Sequence, residues 1–167
     1  MGIEMGGLLE IDAAEMMELS RGFRAEGQRM AYRGRPEGTS MWPLVRGGDG
    51  IVVEQAAEGD IRVGDILVFW GGGAKLVAHR LVCIDCAGGE KRYRMRGDFR
   101  RRMDKPVGYE AIVGRVEAIE RGGKTIRTNS AGFRLKSAAW AAVRPAALLA
   151  RAAWKRVWGL KGRFSGR

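Results

Sequence analysis

Short apolar runs follow one another closely through the middle of the chain. Each spans four to nine residues, at positions 51–54, 66–70, 76–84, 93–96, 111–119 and 125–128. Glycine-rich turns such as those at 47–50 and 122–123 separate them. Apolar runs of this length between glycine turns are typical of strands, and their density favours an antiparallel sheet. The sequence therefore predicts a mainly β protein, an antiparallel barrel or coiled sheet, with a further short strand at 30–35.

A helix is predicted ahead of the strands, over residues 12–29. Asp12 can cap its first turn, and Glu15 three residues later completes a capping box. An apolar stripe follows at helical spacing, formed by Ala13, Met16, Met17 and Phe23. The simplest interpretation is a helix that packs on the sheet.

The tail from residue 129 changes to alanine, leucine, tryptophan and arginine, which predicts helix. Ser137 is a candidate cap, and Pro145 is expected to divide the segment into two pieces. Apolar and basic residues alternate there at helical spacing: Leu148, Leu149, Ala152, Trp154 and Trp158, with Arg151, Lys155 and Arg156. Two interpretations are equally open, a helix lying in a membrane interface and a helix packed on the sheet with solvated charges.

The net charge of +11 is concentrated in this tail. Residues 1–120 hold 18 basic and 19 acidic side chains, whereas residues 121–167 hold 12 basic ones and no acid. Because a nucleic-acid enzyme concentrates basic charge around its working cleft, we expect no nucleic-acid partner. The tail instead favours an anionic membrane surface or another anionic partner.

The length of 167 residues suits one domain with a core of its own. We divide the chain into a helical extension (1–33), a β domain (34–128) and a basic amphipathic tail (129–167). No stretch approaches the ~18 apolar residues of a spanning helix, and the acidic N-terminus does not resemble a secretory signal. The alternatives left open for its location are the cytoplasm and the periphery of a membrane.

Cys83 and Cys86 follow closely after His79, which is the only histidine. A closed zinc site needs four nitrogen or sulfur ligands, and these residues supply three at most. We therefore predict no metal site and no cofactor. The cysteines are interpreted as buried strand residues, in preference to a redox pair.

Candidate chemistry lies in three segments that contain Ser40, His79, and the pair Asp98 and Asp104. A serine becomes nucleophilic when an adjacent base takes its proton, and an imidazole oriented by a carboxylate suits that task. Gly38 and a following proline place the serine on a tight turn, where its backbone N–H can face a developing oxyanion. From the residues alone, a loop serine and a buried core histidine are the more common alternative.

Six short blocks surround these residues in order: Gly-Thr-Ser-Met-Trp-Pro, Arg-Gly-Gly-Asp-Gly-Ile-Val-Val, Val-Gly-Asp-Ile-Leu-Val-Phe, Ala-His-Arg-Leu-Val, Met-Arg-Gly-Asp and Val-Gly-Arg-Val. This ordered set, from about residue 34 to 120, resembles signal peptidase I and its self-cleaving repressor relatives. Most bacterial members place a lysine where His79 stands. The chain is therefore most similar to the archaeal, endoplasmic-reticulum and sporulation signal peptidases, which use Ser, His and Asp.

The resemblance implies a signal-peptidase-like β fold and roles for individual residues. Ser40 is the implied nucleophile and His79 the implied base. Asp104 is preferred as the third member of the triad, with Asp98 as a supporting acid. The oxyanion and substrate-binding residues are Ser40, Thr39 and Met41. Outside the triad, Asp49 and Asp65 are interpreted as turn residues.

Three features depart from the family pattern. Gly38 stands where the family often has a serine that can donate to the oxyanion, so the hole would rest on backbone N–H groups. Phe99 and the arginines at 100–102 replace small polar residues, and we favour a solvated loop slightly over a site for an acidic substrate segment. The membrane-spanning helix expected beside the serine is missing, which argues against the usual trimming of secreted preproteins.

Three hypotheses follow. The leading one is a serine endopeptidase that cleaves a leader peptide or preprotein after a small residue, with the substrate paired to a sheet edge near Ser40. The second is a catalytically degenerate module that binds peptide or membrane, and it predicts that His79 or Asp104 points away from Ser40. The third is a self-cleaving regulator. It is disfavoured because such proteins use a lysine base, carry a separate DNA-binding domain and need a scissile loop, and we identify no such loop in this sequence.

Overall fold

The computed structural model describes residues 3–4, 12–71 and 75–161. Its strands are β1 (Ile3–Glu4), β2 (Met30–Gly34), β3 (Gly50–Glu54), β4 (Ile66–Trp70), β5 (Leu76–Ala87), β6 (Glu90–Arg96), β7 (Ile112–Arg121) and β8 (Lys124–Arg127). Helix α1 (Ala13–Ala25) precedes β2 and helix α2 (Ala131–Lys161) follows β8, with short 3-10 helices at Glu58–Asp60 and Tyr109–Ala111. The predicted class, mainly antiparallel β with a helix before and after the sheet, is confirmed.

One sheet holds these strands in the order β1-β2-β3-β7-β4-β5-β6, with β8 beside β7. Neighbours are antiparallel except for the two-residue β1, which runs parallel to β2. Shifts of register between β3 and β7, β4 and β7, and β5 and β6 introduce local bends. Among the described residues β6 does not pair with β1 or β2, so the sheet is open and not closed into a barrel.

Two apolar clusters form the core, and β4 contributes to both. Ile66 and Val68 belong to the first cluster, whereas Leu67 and Phe69 belong to the second. Successive side chains of a strand point to opposite faces, so both faces of the sheet are covered at this strand. The first cluster also includes Met16, Met17, Met30, Met41, Val45, Ile51, Val53, Val113, Val116, Ile119 and Phe133, and the second Ala56, Ile61, Leu81, Tyr93, Met95 and Ile112.

Helix α1 begins as predicted. The Asp12 carboxylate accepts hydrogen bonds from the N–H groups of Ala14 and Glu15 at 2.7 and 2.9 Å. The Asp12 N–H in turn donates to the Glu15 carboxylate, which completes the capping box. The helix ends at Ala25, before the predicted residue 29, because Gly27 adopts a φ of +68° that cannot continue it. Since Met16 and Met17 are buried in the first cluster, α1 is a packing helix as expected.

The predicted strands are all present, and β4 has the predicted bounds. β5 is longer than expected because it continues into a hairpin with β6 through Gly88 and Gly89, both at positive φ. Beyond Leu81, β5 pairs only with β6 among the described strands. As a result Cys83 is half-buried and Cys86 is exposed, so the prediction that both cysteines are buried is wrong.

Helix α2 departs from the prediction in two ways. It runs through Pro145 without division, and it is capped by Ser130, whose Oγ accepts from the Phe133 N–H at 3.3 Å, and not by Ser137. A proline inside a helix costs about 3 kcal/mol, which packing on both sides of it can offset. Phe133 lies in the first core cluster and Leu148 is also buried. The helix therefore packs on the body over this part of its length.

The outer side of α2 carries apolar residues as well. Leu135, Val143 and Leu149 are 72%, 56% and 60% exposed. No helix in the described ranges is both long enough and apolar enough to cross a membrane. The predicted interfacial positions Trp154 and Trp158 have side chains outside the described residues, so the membrane-interface interpretation stays a prediction.

Candidate active site

Ser40 lies on a tight turn between β2 and β3, as predicted. Gly38 has a φ of +84°, which residues with a Cβ rarely adopt, and it sends the chain into this turn. The Trp42 N–H then donates to the Thr39 carbonyl at 3.2 Å. Next to the serine, Met41 is only 4% exposed and anchors the turn in the first core cluster.

His79 is held rigidly on β5, opposite Leu67 of β4. It is 2% exposed, and its ring centroid lies 6.3 Å from that of Phe69. Because side chains alternate along a strand, His79 shares a face with Leu81, which belongs to the second core cluster. Packing thus leaves the imidazole little freedom to leave its position.

The structure brings Ser40, His79 and Asp104 together. His79 Nε2 lies 3.0 Å from Ser40 Oγ, and His79 Nδ1 lies 2.6 Å from Asp104 Oδ2. Since a carboxylate can only accept, Nδ1–H donates to Asp104, and Nε2 is left as the acceptor for the serine proton. These are the positions that the resemblance implied for nucleophile, base and orienting acid. They also disagree with the degenerate-module hypothesis, which predicted that His79 or Asp104 points away from Ser40.

Asp98 lies apart from this hydrogen-bonded chain. Its carboxylate accepts hydrogen bonds from Arg80 Nε and Nη2, both at 2.8 Å, and Arg80 Nη1 donates to the Gly64 carbonyl at 2.7 Å. Arg80 follows His79 directly on β5 and therefore points to the opposite face. Asp98 consequently contacts Arg80 and makes no hydrogen bond to His79, so it supports the site only indirectly.

The segment between the two aspartates is fastened at both ends. The Phe99 N–H donates to the Ser40 carbonyl at 2.7 Å, and the Asp104 N–H donates to the Met95 carbonyl at 2.9 Å. The first bond joins this segment, called here the aspartate loop (residues 97–104), to the turn that carries Ser40. The second fixes the backbone of the residue that orients His79.

Helix α2 packs on the same loop. Trp140 Nε1 and Arg144 Nε donate to the Asp98 carbonyl at 3.2 and 3.0 Å, and Arg144 also donates to the Arg100 carbonyl. The rings of Trp42, Phe99 and Trp140 form a cluster with centroids 5.3–6.2 Å apart. The tail therefore supports the site from outside, a role that the sequence did not indicate.

Gly97 occupies the closest approach within the site. A Cβ at this position would lie 2.7 Å from the Ser40 carbonyl oxygen and 3.0 Å from His79 Nε2. The first atom belongs to the backbone, so a side chain here must displace either the turn that carries Ser40 or the aspartate loop. Gly97 is the glycine of the Met-Arg-Gly-Asp block, and nothing in the sequence indicated that it lies against Ser40 and His79.

Backbone N–H groups are available for an oxyanion hole. Those of Ser40 and Met41 donate to no acceptor within the described part of the chain. Both residues were predicted as oxyanion donors, and free backbone N–H groups can stabilise a developing negative charge. Of the predicted binding residues, Thr39 is exposed in the cleft, whereas Met41 can take part only through its backbone because its side chain is in the core.

A second arginine–aspartate pair holds the far end of the turn that carries Ser40. Arg121 donates to both oxygens of Asp49, at 2.8 and 2.6 Å, and to the Leu44 carbonyl at 3.0 Å. The hydrogen bonds from Arg121 lower the pKa of the Asp49 carboxyl, and burial opposes them. Asp49 also accepts from the Arg46 N–H at 2.7 Å, and Asp65 accepts from the Arg62 N–H at 2.8 Å. The predicted turn roles of both aspartates are therefore observed.

An open cleft of about 610 Å³ lies in front of Ser40. It is lined by Glu37, Gly38, Thr39, Ser40, Phe99, Arg100, Arg101, Arg102, Met103, Asp104 and Arg151. Ser40 is thus half-exposed at the cleft, while His79 behind it is buried. An extended chain could reach Ser40 along this cleft.

The described ranges contain no group of three or more histidine, cysteine or carboxylate side chains placed to bind a metal ion. Comparison with known proteins gives no match to any family model, curated protein or solved structure. The geometry of the described residues and the ordered sequence blocks are therefore the observations that bear on function.

Proposed function

We propose that the chain is a serine endopeptidase of the signal-peptidase type, which cleaves a leader peptide or preprotein after a small residue. The observation that carries the proposal is the chain of hydrogen bonds from Ser40 through His79 to Asp104, at 3.0 and 2.6 Å. Serine, histidine and carboxylate at these distances are the arrangement that triad-type acyl transfer uses. The signal-peptidase type and the preference for small residues are proposed from the resemblance of the ordered sequence blocks.

In the proposed mechanism Ser40 Oγ attacks the scissile carbonyl carbon as His79 Nε2 takes the hydroxyl proton. Asp104 keeps the imidazole in the correct tautomer and stabilises its positive charge. The N–H groups of Ser40 and Met41 stabilise the oxyanion of the tetrahedral intermediate. His79 then gives the proton to the leaving amine, and a water activated by the same imidazole hydrolyses the acyl-enzyme.

Strand addition is the proposed mode of substrate binding. β2 leads into the turn that carries Ser40, and β1 pairs only with its first two residues, Met30 and Ala31. Among the described strands, the outer edge of β2 beyond Ala31 has no partner. An extended peptide could hydrogen-bond along this edge and continue into the cleft, so that backbone contacts give affinity independent of sequence.

Replacement of Ser40 by alanine tests the proposal. The substrates are quenched fluorescent peptides with alanine or glycine before the scissile bond, and we expect the Ser40→Ala variant to lose about 10⁴-fold or more in kcat. Ser137→Ala is the matched control, because the Ser137 hydroxyl has no hydrogen-bond partner in the described part of the chain. Equal cleavage by wild type and the Ser40→Ala variant would reject the peptidase assignment.

A further inference from the structure

The lining of the cleft in front of Ser40 carries more positive than negative charge. Arginines at 100–102 and Arg151 line it, against the carboxylates of Glu37 and Asp104. Asp104 is already hydrogen-bonded to His79. A guanidinium stays charged at all relevant pH values, so the site presents four permanent positive charges beside the nucleophile.

Within the described part of the chain, the three adjacent arginines have no acidic partner. None of them forms an ion pair with a described carboxylate, whereas Arg80 and Arg121 are each held by a buried aspartate. All three are exposed, and their like charges repel one another. Their charges are therefore available to a ligand from outside the chain.

The backbone that carries these arginines is nevertheless well fixed. The aspartate loop is hydrogen-bonded to the Ser40 carbonyl through the Phe99 N–H, and Arg144 of α2 donates to the Arg100 carbonyl. Arg151 lies over the Phe99 ring, with its guanidinium carbon 4.4 Å from the centroid. A fixed backbone places the positive charges at a defined position relative to Ser40, as a specificity site requires.

We propose that the substrate is an acidic peptide segment, whose Asp or Glu side chains near the scissile bond are bound by the arginines at 100–102 and by Arg151. The inference rests on the proposed peptidase function. Guanidinium groups bind carboxylates through paired hydrogen bonds, so they can select acidic residues while Ser40 acts on the neighbouring bond. Glu37 and Asp104 in the same lining would repel a continuous polyanion, which favours a peptide over a nucleic acid.

Two otherwise identical quenched peptides test the inference, one with glutamates and one with glutamines beside the alanine. Wild type should cleave the glutamate peptide with a kcat/KM about tenfold higher, and added salt should reduce the difference. Replacing the arginines at 100–102 together by glutamine should bring the ratio close to one. A ratio of one in wild type would overturn the inference.

A matched variant separates local charge from net charge. Arg21, Arg127 and Arg134 are exposed, form no described ion pair and do not line the cleft, so their joint replacement by glutamine removes the same charge elsewhere. This control should keep the wild-type preference for glutamate. An equal loss in the control would mean that net charge, and not the cleft, selects the substrate.

Binding to the Ser40→Ala variant, measured by fluorescence anisotropy with labelled peptides, separates the inference from the proposed function. Tighter binding of the glutamate peptide without any cleavage by wild type supports the acidic site and rejects the peptidase. Cleavage of both peptides, without any preference for glutamate, supports the peptidase and rejects the acidic site. A single-stranded oligonucleotide that binds as tightly as the glutamate peptide, and loses binding when the arginines at 100–102 are replaced, would overturn the assignment to a peptide.

Discussion

The two ends of the aspartate loop contain the same residue type and use it for different purposes. At one end Asp98 binds Arg80 through both carboxylate oxygens, and its side chain is 6% exposed. At the other end Asp104 binds His79, and its side chain is 23% exposed at the edge of the cleft. Because Arg80 and His79 are adjacent on β5 and face opposite ways, the loop delivers one carboxylate to each side of the strand. The role of each aspartate therefore follows from the residue it meets, and the buried pair fixes the loop that positions the other.

The largest effect is expected at the Asp104 end of the aspartate loop. The Asp104→Asn variant should keep its fold but lose about 10⁴-fold in kcat, because an amide no longer holds His79 in the tautomer that accepts the serine proton. Steady-state kinetics with the alanine peptides measure the loss. Asp85→Asn, which changes an exposed carboxylate paired with Arg94, is the control and should leave kcat unchanged. A loss below tenfold at Asp104 would remove it from the triad.

A substitution at the Asp98 end should reduce the free energy of unfolding more than it reduces kcat. The Asp98→Asn variant leaves the Arg80 guanidinium, only 17% exposed, without its ion-pair partner, which should cost about 3 kcal/mol of unfolding free energy. Urea unfolding measures this loss. Under conditions where the variant is folded, its kcat should stay within about tenfold of wild type, since Asp98 does not contact His79. A loss of kcat as large as that of Asp104→Asn would show that the two ends are not separable.

Substitution of Gly97 tests how closely the aspartate loop must approach Ser40. In the Gly97→Ala variant the new Cβ meets the Ser40 carbonyl oxygen and His79 Nε2, so the reacting atoms must move apart. A displacement of about 1 Å in such a site can cost about 100-fold in kcat, with KM changed far less. Gly132→Ala is the control because nothing lies within 4 Å of a Cβ added there. Wild-type kcat in the Gly97 variant would show that the site tolerates a looser loop.

The smallest effect is expected at Asp49, which repeats the arginine–aspartate pairing of Asp98. The Asp49→Asn variant should lose about 2 kcal/mol of stability at neutral pH, less than Asp98→Asn, because the Arg121 side chain is 30% exposed. Since folding lowers the pKa of Asp49, its contribution is complete above the unfolded value of about 3.9 and disappears as pH falls through the folded value. Urea unfolding at several pH values should therefore show the two proteins converging below about pH 4. A difference independent of pH would contradict this linkage.

Local patterns predicted most of the fold. The run 66–70 coincides with β4, and the capping box at Asp12 marks the start of α1, because both depend on neighbours in sequence. The helix across Pro145 and the exposed Cys86 were not predicted. Each depends on tertiary surroundings, namely the packing of α2 on the body and the extent of the β5–β6 hairpin, that local sequence does not contain.

The candidate site was predictable to a similar degree. Ordered blocks pointed to Ser40, His79 and Asp104, which the structure brings within hydrogen-bonding distance. The contact of Asp98 with Arg80 could have been anticipated only from the alternation of side chains along β5. The support of the aspartate loop by Trp140 and Arg144 comes from a helix more than 40 positions away along the chain, and no spacing rule connects the two.

The proposed function requires that Ser40, His79 and Asp104 act as one reacting unit. Labelling with a fluorophosphonate, located by peptide mass spectrometry, tests it without knowledge of the natural substrate. We predict stoichiometric modification of Ser40 in wild type and a rate at least about 10³-fold lower in the His79→Ala and Asp104→Asn variants. Absence of modification at Ser40 in the folded wild-type protein, or equal rates in all three proteins, would contradict the account.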